Sequence, residues 1–203
     1  MLSYFQRGVT HVDTKKAFGL VLMPRSAVTA EEKKTQTQFC QNMLAALEFV
    51  SPNAAAQRDA LVTYWPIVAT REAFEIEAAF AARDCDALIA WYDHNVARSV
   101  VARAGIEKLS GPLLITWPSA DASYDATRDP LIVDFAMADH ARAKKALDYW
   151  FGELQTKPDL WTSRIREGTI RAELADAIND TAGVVLAVLS GKWESFNAVG
   201  QTP

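Results

Sequence analysis

The side chains with the most chemistry to offer stand close together in the middle of the chain: Asp93, His94 and Asn95, with Arg98 one helical turn further on. Histidine changes charge near neutrality, so His94 can serve as a general acid or base. Asp93 beside it can orient the imidazole. The polar run opens a helical pattern, and the free N–H groups of a helix mouth favour anions. These residues predict an acid–base pair, Asp93 and His94, with Asn95 and Arg98 as ligand contacts. They also satisfy a plainer reading, in which Asp93 or Asn95 caps a helix and His94 and Arg98 are solvated. Arg25 and Ser26, after the apolar run 17–23, and Ser119, after the run 112–117, stand at equivalent points and complete the candidate ligand-binding set.

These residues must be held by alternating elements. Runs 17–23, 61–65, 87–92, 112–117 and 131–137 are short, apolar and rich in β-branched or aromatic residues, and read as strands. Between the first two, Thr29 and Glu32 form a capping box for a helix with Phe39, Met43, Leu47 and Val50 on one face, stopped at 51–53. Thr70 caps a second helix with Phe74, Ile76 and Phe80 inward. A third, with Val96, Val100 and Ala104 as its stripe, ends at Gly105. Pro66 cannot donate to a ladder, so its strand ends there or lies at an edge.

Alternation of this kind predicts an α/β fold: a three-layer sandwich around a mostly parallel sheet of about five strands, the first three mutually parallel. No helical stripe joins the fourth and fifth strands, so that pair is expected as an antiparallel hairpin at one edge. Residues 1–203 read as one domain, an alternating core over 17–154 and a helical C-terminal extension over 158–191. The run 183–189 is read as helix, with a sixth strand as the alternative.

In such a sheet ligands sit outside the carboxyl ends of the strands, which is what singles out Arg25, the 92–95 run and Ser119. The loop 119–130 carries Asp121, Asp125 and Asp129 around Tyr124 and Arg128, the make-up of a lid, a recognition loop or a plain surface tip. Asp134 lies within an apolar strand and must be paired or near an open face. Most of the six tryptophans are expected in the core, although Trp65, Trp91 and Trp117 near strand ends can line a pocket.

Other chemistries lack their signatures. No Gly-rich phosphate loop, nucleophile elbow, H-E-x-x-H, C-x-x-C or EF-hand loop occurs. His11, His94 and His140 are far apart, so no metal site is expected, and no cofactor is indicated. Cys40 and Cys85 are too few for a disulfide framework, and Cys40 falls on the inner face of a helix as a core residue. Asp84 and Asp86 around Cys85 fit a turn better than a nucleophile or metal site. The net charge of -4, with basic residues scattered among acids and no basic run longer than a pair, argues against nucleic acid. No window reaches the length of a membrane span, and the first residues lack a signal peptide, so a cytoplasmic location is expected.

Three functions compete. The first is a non-catalytic accessory module that binds a small molecule or a protein partner through its carboxyl-end loops. The second is a metal-independent enzyme acting on a small anionic substrate. The third is a homo-oligomer built by the C-terminal helices.

Overall fold

The structure is a computed structural model and describes residues 1–8, 18–53, 62–103, 106–107, 109, 111–117, 131–135, 145, 147 and 186–188. Six strands form one sheet: β1 (Leu2–Gln6), β2 (Phe18–Leu22), β3 (Val62–Ile67), β4 (Leu113–Trp117), β5 (Leu131–Asp134) and β6 (Leu186–Val188), in the spatial order β1-β3-β2-β4-β5-β6. Among the described residues they are accompanied by the helices α1 (Ala30–Ala46), α2 (Ala73–Ala82), α3 (Cys85–Ala90) and α4 (His94–Arg103). The protein has an α/β fold.

The sheet is mixed rather than mostly parallel. β3 pairs in parallel with β1 and with β2, whereas the β2–β4, β4–β5 and β5–β6 pairings are antiparallel. The antiparallel β4–β5 pair predicted from the missing helical stripe is present, but it does not lie at the edge, because β6 pairs outside β5. The parallel trio is β1, β3 and β2, because the run 87–92 is not a strand. It lies in α3 and the turn after it, since the Asp84 carboxylate receives the Ala87 amide at 3.0 Å and starts a helix there. That helix buries Cys85 and Leu88, three residues apart. Residues 186–188 are strand, not helix, and pair with β5.

The core is continuous across the sheet. Leu20, Leu22, Trp65, Ile67, Leu113 and Leu114 are fully buried, the pattern of strands covered on both faces. α1 begins with the predicted capping box: Thr29 Oγ1 receives the Glu32 amide, and Glu32 Oε2 receives the Thr29 amide. It buries Phe39, Cys40 and Met43. It stops at Ala46 rather than at 51–53, because Leu2 exchanges backbone hydrogen bonds with Glu48 and Val50 along the outer edge of β1. α2 is capped by Glu72, not Thr70, and Phe74 in its first turn is exposed while Ile76 and Phe80 are buried. α4 buries Val96, Ala97, Val100 and Val101. Of the helix expected over 139–154 only Lys145 and Leu147 are described, both helical and Leu147 buried. Residues 158–185 and 189–191 of the expected C-terminal helices, the ends at Ala104 and Gly105, and the loop 119–130 lie outside the described residues.

Candidate functional site

β2 and β3 are in register from Phe18↔Val62 to Leu20↔Tyr64 and no further. Beyond that point the chain wedges one of its own segments between them. Tyr92 bridges Ile67 in antiparallel fashion: the Val68 amide donates to Trp91 O, and the Asp93 amide donates to Pro66 O. Pro66 has no N–H, and it sits in the central β3 rather than at an edge. Strand β3 tolerates it where pairing with β2 has ended and Asp93 has taken over its carbonyl.

From that bridge the Tyr92 side chain reaches β2. Its hydroxyl accepts the Met23 amide at 2.8 Å and donates to Val21 O at 2.9 Å. The ring meets Trp65 edge-on at 5.8 Å, and Trp65 Nε1 donates to Leu88 O at 3.3 Å. Burial without a charged partner pushes the Tyr92 phenol far above its usual range. The Asp93 charge adds to the rise and the Met23 amide opposes it. Tyr92 therefore stays protonated and fixes the diverging strands to each other.

His94 completes the wedge. Its Nδ1 lies 2.8 Å from Met23 O and its ring 4.9 Å from that of Tyr92. A carbonyl oxygen only accepts, so Nδ1 donates, and in neutral His94 the lone pair belongs to Nε2. The Asp93 carboxylate is directed elsewhere. Its Oδ1 receives the Asn95 amide at 2.9 Å and the Val96 amide at 3.2 Å, the geometry of an N-cap. Arg98 Nη2 donates to Asn95 Oδ1 at 2.6 Å on the exposed side of α4.

The structure brings Arg25 and Ser26 to the same end of the sheet, just past Met23, with both side chains exposed. Gln36 Nε2 holds the Arg25 carbonyl at 2.7 Å and fixes the loop to α1. Hydrogen bonds from the Thr29 and Val28 amides hold the Glu32 carboxyl below the usual range, and the Arg25 charge contributes least. Ser119 lies outside the described residues. It follows Trp117, which pairs with Phe18 at the amino end of β2, so β4 carries its carboxyl end away from His94. Asp134 ends β5 opposite Leu113, and Leu113 is opposite Leu22, which puts that buried acid at the His94 end of the sheet.

Of the tryptophans near strand ends, Trp65 is core, while Trp91 is half-buried under the Arg71 guanidinium at 4.9 Å. Gln6 Nε2 donates to Val68 O and Arg71 O and ties down the loop after β3. Neither Tyr92 as the strand clasp nor Gln6 as a loop tether was singled out in the sequence. Pro66 inside an apolar run was the one visible sign that β3 loses its β2 partner there.

Cys40 is buried in the core as expected, but it is bonded to Cys85, with the two Cα atoms 5.8 Å apart. One disulfide thus cross-links α1 to α3. Among the described residues no group of three or more His, Cys, Asp or Glu side chains is placed to hold a metal ion. Nor is any helix among them long and apolar enough to cross a membrane.

Fold and site together define a mixed-sheet α/β protein whose central crevice is plugged by its own chain. Comparison with protein-family models, with curated proteins and with solved structures matches nothing.

Proposed function

We propose that this protein is a non-catalytic accessory module that binds a small anionic molecule or a protein partner on the rim of the carboxyl-end crevice. The single observation behind this reading is the commitment of the candidate acid–base pair, together with Tyr92, to the scaffold. Tyr92 and His94 hold the backbone of β2, and Asp93 caps α4. An atom already satisfying a buried backbone group is a poor proton carrier, since moving its proton leaves that group unpaired. The exposed Arg25, Ser26, Asn95 and Arg98 remain as the face offered to a ligand.

The test is a survey of small anions by native mass spectrometry and thermal shift, followed by Arg25→Ala and Arg98→Ala. Each variant should keep its melting temperature and lose about 1.5–3 kcal/mol of affinity for an anion that binds wild type. Unaltered binding by both variants rejects the rim.

The metal-independent enzyme is the second reading, and one observation favours it. The Met23 carbonyl fixes the tautomer of His94 and leaves the Nε2 lone pair for a proton or an electrophile. Asp93 has no part in orienting it, so in this reading His94 works with Met23 rather than with a carboxylate. Turnover of any anionic substrate that is lost in His94→Asn, which keeps a donor at the Nδ1 position, would support it.

The Cys40–Cys85 disulfide supports a setting in which thiols become oxidised, rather than the cytoplasmic location expected from the sequence.

A further inference from the structure

We propose that the Cys40–Cys85 disulfide is a redox latch on the β2–β3 crevice, set by exchange with a dithiol. The bond joins the long α1 to the six-residue α3. α3 runs through Trp91 directly into the wedge, where Tyr92 and His94 hold Val21 and Met23. α1 in turn holds the loop after β2, through Gln36 on Arg25 O. The helix that holds the loop after β2 and the helix that leads into the wedge are therefore covalently joined.

Opening the bond changes the space the sulfurs need. Bonded sulfurs stand about 2.05 Å apart. Non-bonded heavy atoms of similar size need roughly 3.5–4.0 Å. Cys40 is fully buried and Cys85 is 5% exposed, so the separating sulfurs press on packed neighbours. One helix must give. α1 is long and buries Gln36, Phe39, Asn42, Met43 and Leu44 besides its cysteine, whereas α3 buries only Leu88 besides Cys85. α3 is the element that shifts, and the Trp65–Leu88 bond and the Tyr92 clasp shift with it. The redox state thus reaches the strand ends through one unbroken chain of packed groups.

The exchange is balanced as follows. An external dithiol gives up two electrons and two protons and closes its own disulfide. The Cys40–Cys85 bond breaks, and each sulfur gains one electron and one proton. The reverse reaction, with an external disulfide as oxidant, resets the latch.

Amide hydrogen exchange on the full chain tests this, comparing the oxidised protein with protein held in dithiothreitol. The Met23 amide, bonded to the Tyr92 hydroxyl, and the Asp93 amide, bonded to Pro66 O, should exchange about tenfold faster or more after reduction. Amides of the β1–β3 ladder should keep their protection. A Cys85→Ser variant, which has no bond to open and keeps an unbonded γ atom against Cys40, should show the fast pattern in both conditions. Unchanged Met23 and Asp93 exchange after confirmed reduction overturns the latch. So does a uniform loss of protection, which would make the bond a plain staple. Two free thiols titrated in denaturant without reductant would overturn it at the root.

Discussion

The Tyr92 hydroxyl stands between the Met23 amide and the Val21 carbonyl, 2.8 and 2.9 Å from them, and so closes a gap that β3 leaves beside β2. Tyr92→Phe keeps the ring against Trp65 and removes only this oxygen. Two buried backbone groups then lose their partner, at a cost of about 1–3 kcal/mol each where no water replaces it. Chemical denaturation should show a loss in that range, and an unchanged midpoint would mean that β2 needs no clasp.

The same hydroxyl gives the protein an alkaline limit. Its folded-state pKa is raised well above the value of about 10 for an unfolded tyrosine. Above that value the unfolded chain releases a proton that the native state keeps, so stability is full below about pH 10 and falls as pH rises further. Denaturation midpoints measured from pH 8 to 11 should bend downward near 10 in wild type. Tyr92→Phe should flatten part of that bend; an identical bend in both proteins would assign it to other groups.

Strands β2, β3, β4 and β5 were legible because each is a compact apolar run bounded by Pro, Gly or polar residues. β1 was not, since Ser3 and Gln6 break the apolar signal of a five-residue strand. Residues 87–92 carry the same signal as a strand, and only the Asp84 cap and the Cys85–Leu88 spacing turn them into helix. The pairing of β4 with β2 depends on which side of the sheet the chain returns to after α4, and no local pattern encodes that. The Cys40–Cys85 bond likewise joins residues 45 apart on two helices whose contact exists only in the folded chain. At the site, the position of His94 beside the strand ends was readable from the alternation of elements. Its partner was not, because the Met23 carbonyl is a backbone group with no signature of its own.

Thr63 Oγ1 and Thr116 Oγ1 are buried without a hydrogen-bond partner, on either side of Gly19. A Cβ at Gly19 would stand 3.1 Å from the first and 3.5 Å from the second, so these hydroxyls crowd the one strand position that has no side chain. An unpaired buried hydroxyl costs about 1–3 kcal/mol, and valine has the same branching without it. Thr63→Val and Thr116→Val should each raise the melting temperature. A fall in both would show that the hydroxyls have partners in solution.

Asp93 is placed as a helix cap, and its variants can be separated by what they keep. Asp93→Asn retains an oxygen for the Asn95 and Val96 amides, and asparagine caps about as well as aspartate. Asp93→Ala removes the acceptor, and α4 should lose about 0.5–2 kcal/mol, read as a lowered unfolding midpoint. If Asn costs as much as Ala, the negative charge rather than the cap is what the fold uses.

His94 offers the sharpest division, because its two ring nitrogens have different duties. Nδ1 serves the fold through Met23 O, and Nε2 is the atom left for chemistry. Asparagine places its amide nitrogen near the position of Nδ1 and has nothing at Nε2. His94→Asn should therefore stay within about 0.5 kcal/mol of wild type, as a substitution that keeps its native contact does. His94→Ala leaves the Met23 carbonyl without its donor and should cost about 1 kcal/mol. Ligand binding then divides the two functional readings. In a binding module His94→Asn keeps affinity for the rim ligand, since the wedge and the α4 mouth are intact. In an enzyme it folds and binds normally but loses turnover, since the lone pair that takes the proton is gone. A His94→Asn protein as destabilised as His94→Ala would break the division and show that the Nδ1–Met23 bond does not hold the wedge.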